Sequence, residues 1–210
     1  MNRIQQFRVM PVAVIENAAD AVPLANVLLA AGLPVIEVTF RTAAAEQSIR
    51  NICQQVPGML VGAGTLLAPA QVEQAVAAGA KFGVAPGLND VVVKKSLELG
   101  MPFVPGVATA SEVERAMVLG CKILKLYPAD LLGGVKLLKA FNSPYGHTGV
   151  KFIPLGGINA SNMAEYFTVP NVVAIGGSWF VERKLITGKK WDDITRLTKE
   201  ALAIAKAARP

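Results

Sequence analysis

Lys122-Ile123-Leu124-Lys125-Leu126-Tyr127-Pro128 is a short apolar run with one charged amine at its centre and a proline closing it. Its length and composition predict a buried β-strand. A run that is apolar on both faces suits a parallel sheet covered by helices on each side. Runs of the same kind recur at residues 11–15, 34–40, 60–65, 82–85, 103–106, 152–155 and 172–175. Between them lie longer Ala-, Leu- and Glu-rich stretches such as 18–31, 43–54 and 69–78, with helical periodicity. This alternation predicts right-handed βαβ units and a parallel sheet.

Eight such units favour a single closed (β/α)8 TIM barrel over 1–210, with a doubly wound open sheet as the alternative. Gly32, Gly79, Gly100 and Gly120 each precede a predicted strand, where a helix ends on a left-handed residue. Ile4 and Phe7 have the spacing of a short N-terminal helix that closes the barrel bottom, and the tail from 191 to 210 reads as the last outer helix.

The 210 residues are 52% hydrophobic and 17% charged, which excludes a disordered chain. The net charge of +6 is spread along the chain and thickens only after Arg183 without interleaved aromatics. That pattern describes a solvated helix face and argues against nucleic-acid binding. The two cysteines, Cys53 and Cys121, lack metal-ligand spacing and read as buried thiols of a reducing compartment. The first residues lack a signal-peptide apolar stretch, and the apolar segment 22–38 is broken by Asn26, Pro34 and Glu37. The expectation is a cytoplasmic protein with no membrane partner.

A buried ammonium must find a partner or lose its proton. Lys125 shares a strand face with Ile123 and Tyr127 toward the carboxyl end, where barrels place catalysis. A partly neutral lysine there is a Schiff-base nucleophile; a lysine that snorkels to solvent is the bland alternative. On the 34–40 run, Val35, Glu37, Thr39 and Arg41 share one face. Glu37 is then a desolvated proton shuttle and Arg41 a clamp for a substrate carboxylate, unless the two form only a structural ion pair. Gly156-Gly157 and Gly176-Gly177-Ser178 follow the last two runs, where barrels bind phosphate through backbone N–H groups, although tight turns alone also call for glycine. Thr65 places a hydroxyl at a strand end. A single histidine, His147, and no clustered acids give no metal site and no catalytic triad.

Taken together, Ile36-Glu37-Val38-Thr39-Phe40-Arg41-Thr42, Gly62-Ala63-Gly64-Thr65, Pro86-Gly87, Pro105-Gly106-Val107, Leu124-Lys125-Leu126-Tyr127-Pro128-Ala129, Gly133-Gly134-Val135-Lys136, Gly156-Gly157-Ile158 and Gly176-Gly177-Ser178-Trp179 carry a resemblance running nearly end to end. The chain resembles the 2-keto-3-deoxy-6-phosphogluconate (KDPG) and 4-hydroxy-2-oxoglutarate (KHG) aldolases. The resemblance implies a class I aldolase on a (β/α)8 barrel, a homotrimer that needs no metal or organic cofactor. It implies Lys125 as the Schiff-base lysine and Glu37 as general acid/base, with Arg41 and Thr65 on the pyruvate carboxylate. Gly157, Gly177 and Ser178 would bind phosphate, and Tyr127 would wall the lysine pocket.

The implied substrates are a small keto acid and a phosphorylated aldehyde, the reaction being reversible cleavage of KDPG to pyruvate and glyceraldehyde 3-phosphate. Cleavage of 4-hydroxy-2-oxoglutarate to pyruvate and glyoxylate and a non-catalytic phosphate-binding barrel are the alternatives. Leu155, Ala85, Ala110 and Glu16 depart from the family pattern, which has Thr, Ser, Pro and a basic residue there. Leu155 removes a hydroxyl from the substrate's reach, and Glu16 makes its rim less attractive to anions.

Overall fold

The computed structural model describes residues 2–208; Met1, Arg209 and Pro210, which belong to the expected 1–210 span, lie outside the described residues. The strands are β1 (Val9–Ala13), β2 (Val35–Thr39), β3 (Leu60–Gly64), β4 (Phe82–Val84), β5 (Phe103–Val104), β6 (Gly106–Val107), β7 (Ile123–Leu126), β8 (Lys151–Pro154) and β9 (Ile175–Gly177). The helices are α1 (Asn2–Phe7), α2 (Ala21–Ala30), α3 (Ala45–Gln55), α4 (Pro69–Ala78), α5 (Asp90–Glu98), α6 (Ala110–Val118), α7 (Gly134–Tyr145), α8 (Met163–Tyr166), α9 (Arg183–Thr187) and α10 (Trp191–Ala207). The fold is α/β: every strand pairing is parallel, in a six-stranded sheet ordered β5-β4-β3-β2-β1-β9 and a three-stranded sheet ordered β6-β7-β8.

Local sequence explains both the elements and their breaks. In α3 the buried residues Ala45, Ser48, Ile49 and Ile52 follow the spacing of one helix face, which packs on β2 and β3 between α2 and α4. Asn89 caps α5 through its side chain, and a Thr109/Glu112 capping box starts α6. Gly79 ends α4 at φ +101°, and Gly32, Gly100 and Gly120 also have positive φ, as their positions predict. No helix among the described residues is long and apolar enough to cross a membrane.

Three strands differ from the sequence reading by more than one residue at an end. The first begins at Val9, two residues earlier than the run at 11–15, because Val9, Met10 and Pro11 pair with Ile175, Gly176 and Gly177. The last is Ile175–Gly177, not 172–175; Val172 keeps only an isolated bridge to Phe152. Two glycines suggest a turn in sequence, but here they are flat strand positions over which Leu155 and Trp179 lie. The run 103–106 is interrupted at Pro105, which has no N–H to give a ladder. Phe103 and Val104 pair with β4, whereas Gly106 and Val107 pair with β7.

Candidate active site

The carboxyl ends of the strands surround a cavity of about 790 Å³. Its lining includes Lys125, Glu37, Arg41, Thr65, Tyr127, Gly177 and Ser178, so seven of the eight residues singled out in the sequence converge on one space. The exception is Gly157, which faces Asp130; its neighbour Gly156 lines the cavity in its place. The two glycines follow each other, so the pair alone does not say which one turns inward.

Lys125 sits mid-strand in β7, opposite Gly106 on one side and Ile153 on the other, with only 6% of its surface exposed. Leu124 and Leu126 point the other way and are fully buried, as the strand period requires. Desolvation pushes the Lys125 amine below the usual lysine range; the Glu37 carboxylate opposes that shift, and the Arg41 guanidinium adds to it. The Lys125 Nζ lies 4.8 Å from the centre of the Tyr127 ring, a cation–π distance for whatever fraction is protonated.

Glu37 is fully buried in β2, facing Val12 of β1 and Gly62 of β3. Neither carboxylate oxygen has a hydrogen-bond partner among the described residues. Burial raises its pKa above the usual carboxylate range, and Lys125 pulls in the opposite direction. Each group is thus driven toward its neutral form, and the pair titrates as a unit. No ion pair joins Glu37 to Arg41 among the described residues, so the purely structural pairing weighed from sequence does not form.

Gly64 makes room for Glu37. A Cβ at position 64 would lie 2.7 Å from Glu37 Cδ and overlap the carboxylate. Gly64→Ala is therefore expected to cost about 1–3 kcal/mol by overpacking, read by urea titration, and to displace the carboxylate with a matching loss of turnover. Next to it, Thr65 adopts φ +58°, a conformation costly for a β-branched residue. Backbone strain of this kind collects at functional positions, and Thr65 lines the cavity.

Several lining residues are not among the site residues expected from the sequence. Val12 and Val14 form an apolar wall, Pro86 closes the end of β4, and Val181, Glu182, Arg183 and Lys184 come from the segment after β9. Leu155, where a hydroxyl was expected by resemblance, is a wall residue packed over Gly176. Glu16 does not simply add negative charge to the rim, because its Oε1 lies 3.0 Å from Arg183 Nη1. Among the described residues no cluster of three or more His, Cys, Asp or Glu could hold a metal ion.

Comparison with known proteins identifies the family. The family model described as KDPG and KHG aldolase matches residues 1–197. The 2-dehydro-3-deoxy-phosphogluconate aldolase of Treponema pallidum is 44% identical over 201 residues, covering 96% of this chain and 95% of the relative. The KHG/KDPG aldolase of Escherichia coli K12 is 41% identical over 198 residues, covering 94% and 92%. A crystal structure of KDPG aldolase from Legionella pneumophila, with pyruvate captured at low pH as a covalent carbinolamine intermediate, superposes with a TM-score of 0.89 at 39% identity, over 92% of this chain and 93% of that one. Matched along nearly its whole length and by relatives above 40% identity, the chain belongs to the KDPG and KHG aldolase family.

Proposed function

We propose that this protein is a class I aldolase that reversibly cleaves KDPG to pyruvate and glyceraldehyde 3-phosphate through a Schiff base on Lys125. The observation that carries the reading is the pair of buried groups in one cavity, an amine shifted down and a carboxyl shifted up. A neutral amine and a protonated acid are the two species that addition to a ketone requires. The pyruvate carbinolamine in the Legionella relative supports the same chemistry.

The Lys125 amine attacks C2, and the carbonyl oxygen takes a proton from Glu37 to give a carbinolamine. A second proton transfer releases that oxygen as water and leaves an iminium. The Glu37 carboxylate, directly or through a water, then removes the C4 hydroxyl proton. Electrons of the C3–C4 bond pass into the iminium, which becomes an enamine as glyceraldehyde 3-phosphate leaves. Protonation at C3 and hydrolysis return pyruvate and the free amine. Arg41 and Thr65 hold the C1 carboxylate, Tyr127 walls the lysine, and Gly177, Ser178 and Gly156 meet the phosphate.

In this reading the two sheets are arcs of one closed (β/α)8 barrel forming a single domain. Two hydrogen bonds support closure. Pro105 O accepts from Lys125 N at 2.9 Å beside the β5/β6 break, and Phe152 N donates to Asn171 O at 2.8 Å just ahead of β9. A cytoplasmic homotrimer, which the resemblance implies, completes the proposal. Cleavage of 4-hydroxy-2-oxoglutarate by the same lysine is the second reading, favoured by the dual description of the family and of the E. coli relative. Comparing kcat/KM on the two keto acids decides between them.

The test of the Schiff base is borohydride reduction in the presence of pyruvate. Hydride delivered to the imine carbon is expected to fix one pyruvate on Lys125 as a secondary amine, located by peptide mass spectrometry. An unmodified Lys125 would leave only an anion-binding barrel.

A further inference from the structure

Two arginines line the cavity, Arg41 just past β2 and Arg183 at the start of α9, six residues beyond β9. β1 lies between those strands in the sheet, and the chain leaving it carries Glu16. Glu16 takes Arg183, with Oε1 3.0 Å from Nη1, and no ion pair engages Arg41 among the described residues. Glu16 thereby anchors one cation to the β9 side of the rim and keeps the two positive stations apart. β2 and β9, the strands that lead toward them, are two strand spacings apart, roughly 10 Å, the scale of an extended six-carbon acid with an anion at each end.

We infer that Arg183 recognises the distal anion of the substrate, a phosphomonoester, and that Glu16 positions it; this rests on the aldolase reading of the cavity. A guanidinium has five N–H donors, and Glu16 engages one nitrogen. The other donors of Arg183 have no partner among the described residues, so the opposite edge is free for a bidentate oxyanion contact. Gly177 and Ser178 lie on the same side of the cavity, in and just after the strand that leads into Arg183. Lys184 is the competing cation, but its Nζ is held 2.8 Å from Glu182 and its side chain is 77% exposed. A single point charge so exposed is more heavily screened than a planar fork tethered at one end.

The test compares Arg183→Ala, Arg183→Lys and Lys184→Ala in calorimetric binding of glycerol 3-phosphate, a ligand with the distal group and no ketone. Arg183→Ala is expected to weaken binding at least about tenfold and to flatten its dependence on ionic strength, with Arg183→Lys in between and Lys184→Ala near the parent. Equal binding by Arg183→Ala and the parent, or a loss that follows Lys184, overturns the proposal. Pyruvate trapping on Lys125 is run in parallel. If the parent fails to trap pyruvate, the aldolase reading falls, while the binding comparison still decides whether Arg183 holds the phosphomonoester.

Discussion

Lys125→Met is expected to abolish the pyruvate adduct and lower turnover by about 10⁴-fold or more, since removing a covalent nucleophile leaves only binding and proton transfer. The other lysine lining the cavity, Lys184, lies at the rim against Glu182 and is not placed to substitute. The same change is expected to raise the melting temperature at pH 7. Methionine conserves the volume and fills the space without an amine to desolvate. The folded-state pKa of Lys125 lies below its unfolded value of 10.5. Between those two values the unfolded chain binds more protons than the folded one, so parent stability rises with pH through that window. The advantage of Lys125→Met is therefore largest at low pH and narrows toward pH 10.5. Thermal melts from pH 6 to pH 10 measure it. A variant less stable by about 3–5 kcal/mol would instead indicate an ionised Lys125–Glu37 pair in the resting protein.

Glu37→Gln is expected to reduce kcat by about 10²–10⁴-fold, the usual contribution of a positioned acid–base group. Gln keeps the shape and removes the titration. Because Glu37 raises the pKa of Lys125, its neutralisation lets the amine pKa fall further. Adduct formation with pyruvate should then begin at lower pH than in the parent, while C–C cleavage, which needs proton removal from the C4 hydroxyl, becomes the slow step. Single-turnover cleavage alongside the pH dependence of trapping separates the two effects. Cleavage within tenfold of the parent at every pH would assign the proton relay to another group.

The central pair was legible in the sequence for one physical reason: a charge inside an apolar strand is costly unless it has work to do. Lys125 and Glu37 both stand out on that ground, and strand alternation correctly turns them to one side with Tyr127, Thr39 and Arg41. Glycines were harder to read. Gly156 and Gly157 are equivalent as letters, and only the backbone decides that the second faces Asp130. From sequence the strand at 175–177 starts three residues early, at 172, because Gly176 and Gly177 resemble a turn until a neighbouring strand pairs with them. Arg183 and Lys184 were read as part of a solvated basic face. Their positions at the rim are fixed by ion pairs with Glu16 and Glu182, and the first of these is far away in sequence.

The break at Pro105 has a mechanical consequence. Glu37, Arg41, Thr65 and Gly177 belong to the six-stranded sheet or the chain leaving it, whereas Lys125 and Tyr127 belong to the other sheet's central strand or the residue just past it. Lys125 and Glu37, proposed as nucleophile and proton carrier, thus ride on opposite sides of a seam. Their separation answers to how tightly that seam is packed, so a mutation at Gly106 or Pro86, distant from both in sequence, would act as a gear adjustment on the distance between the amine and the carboxyl.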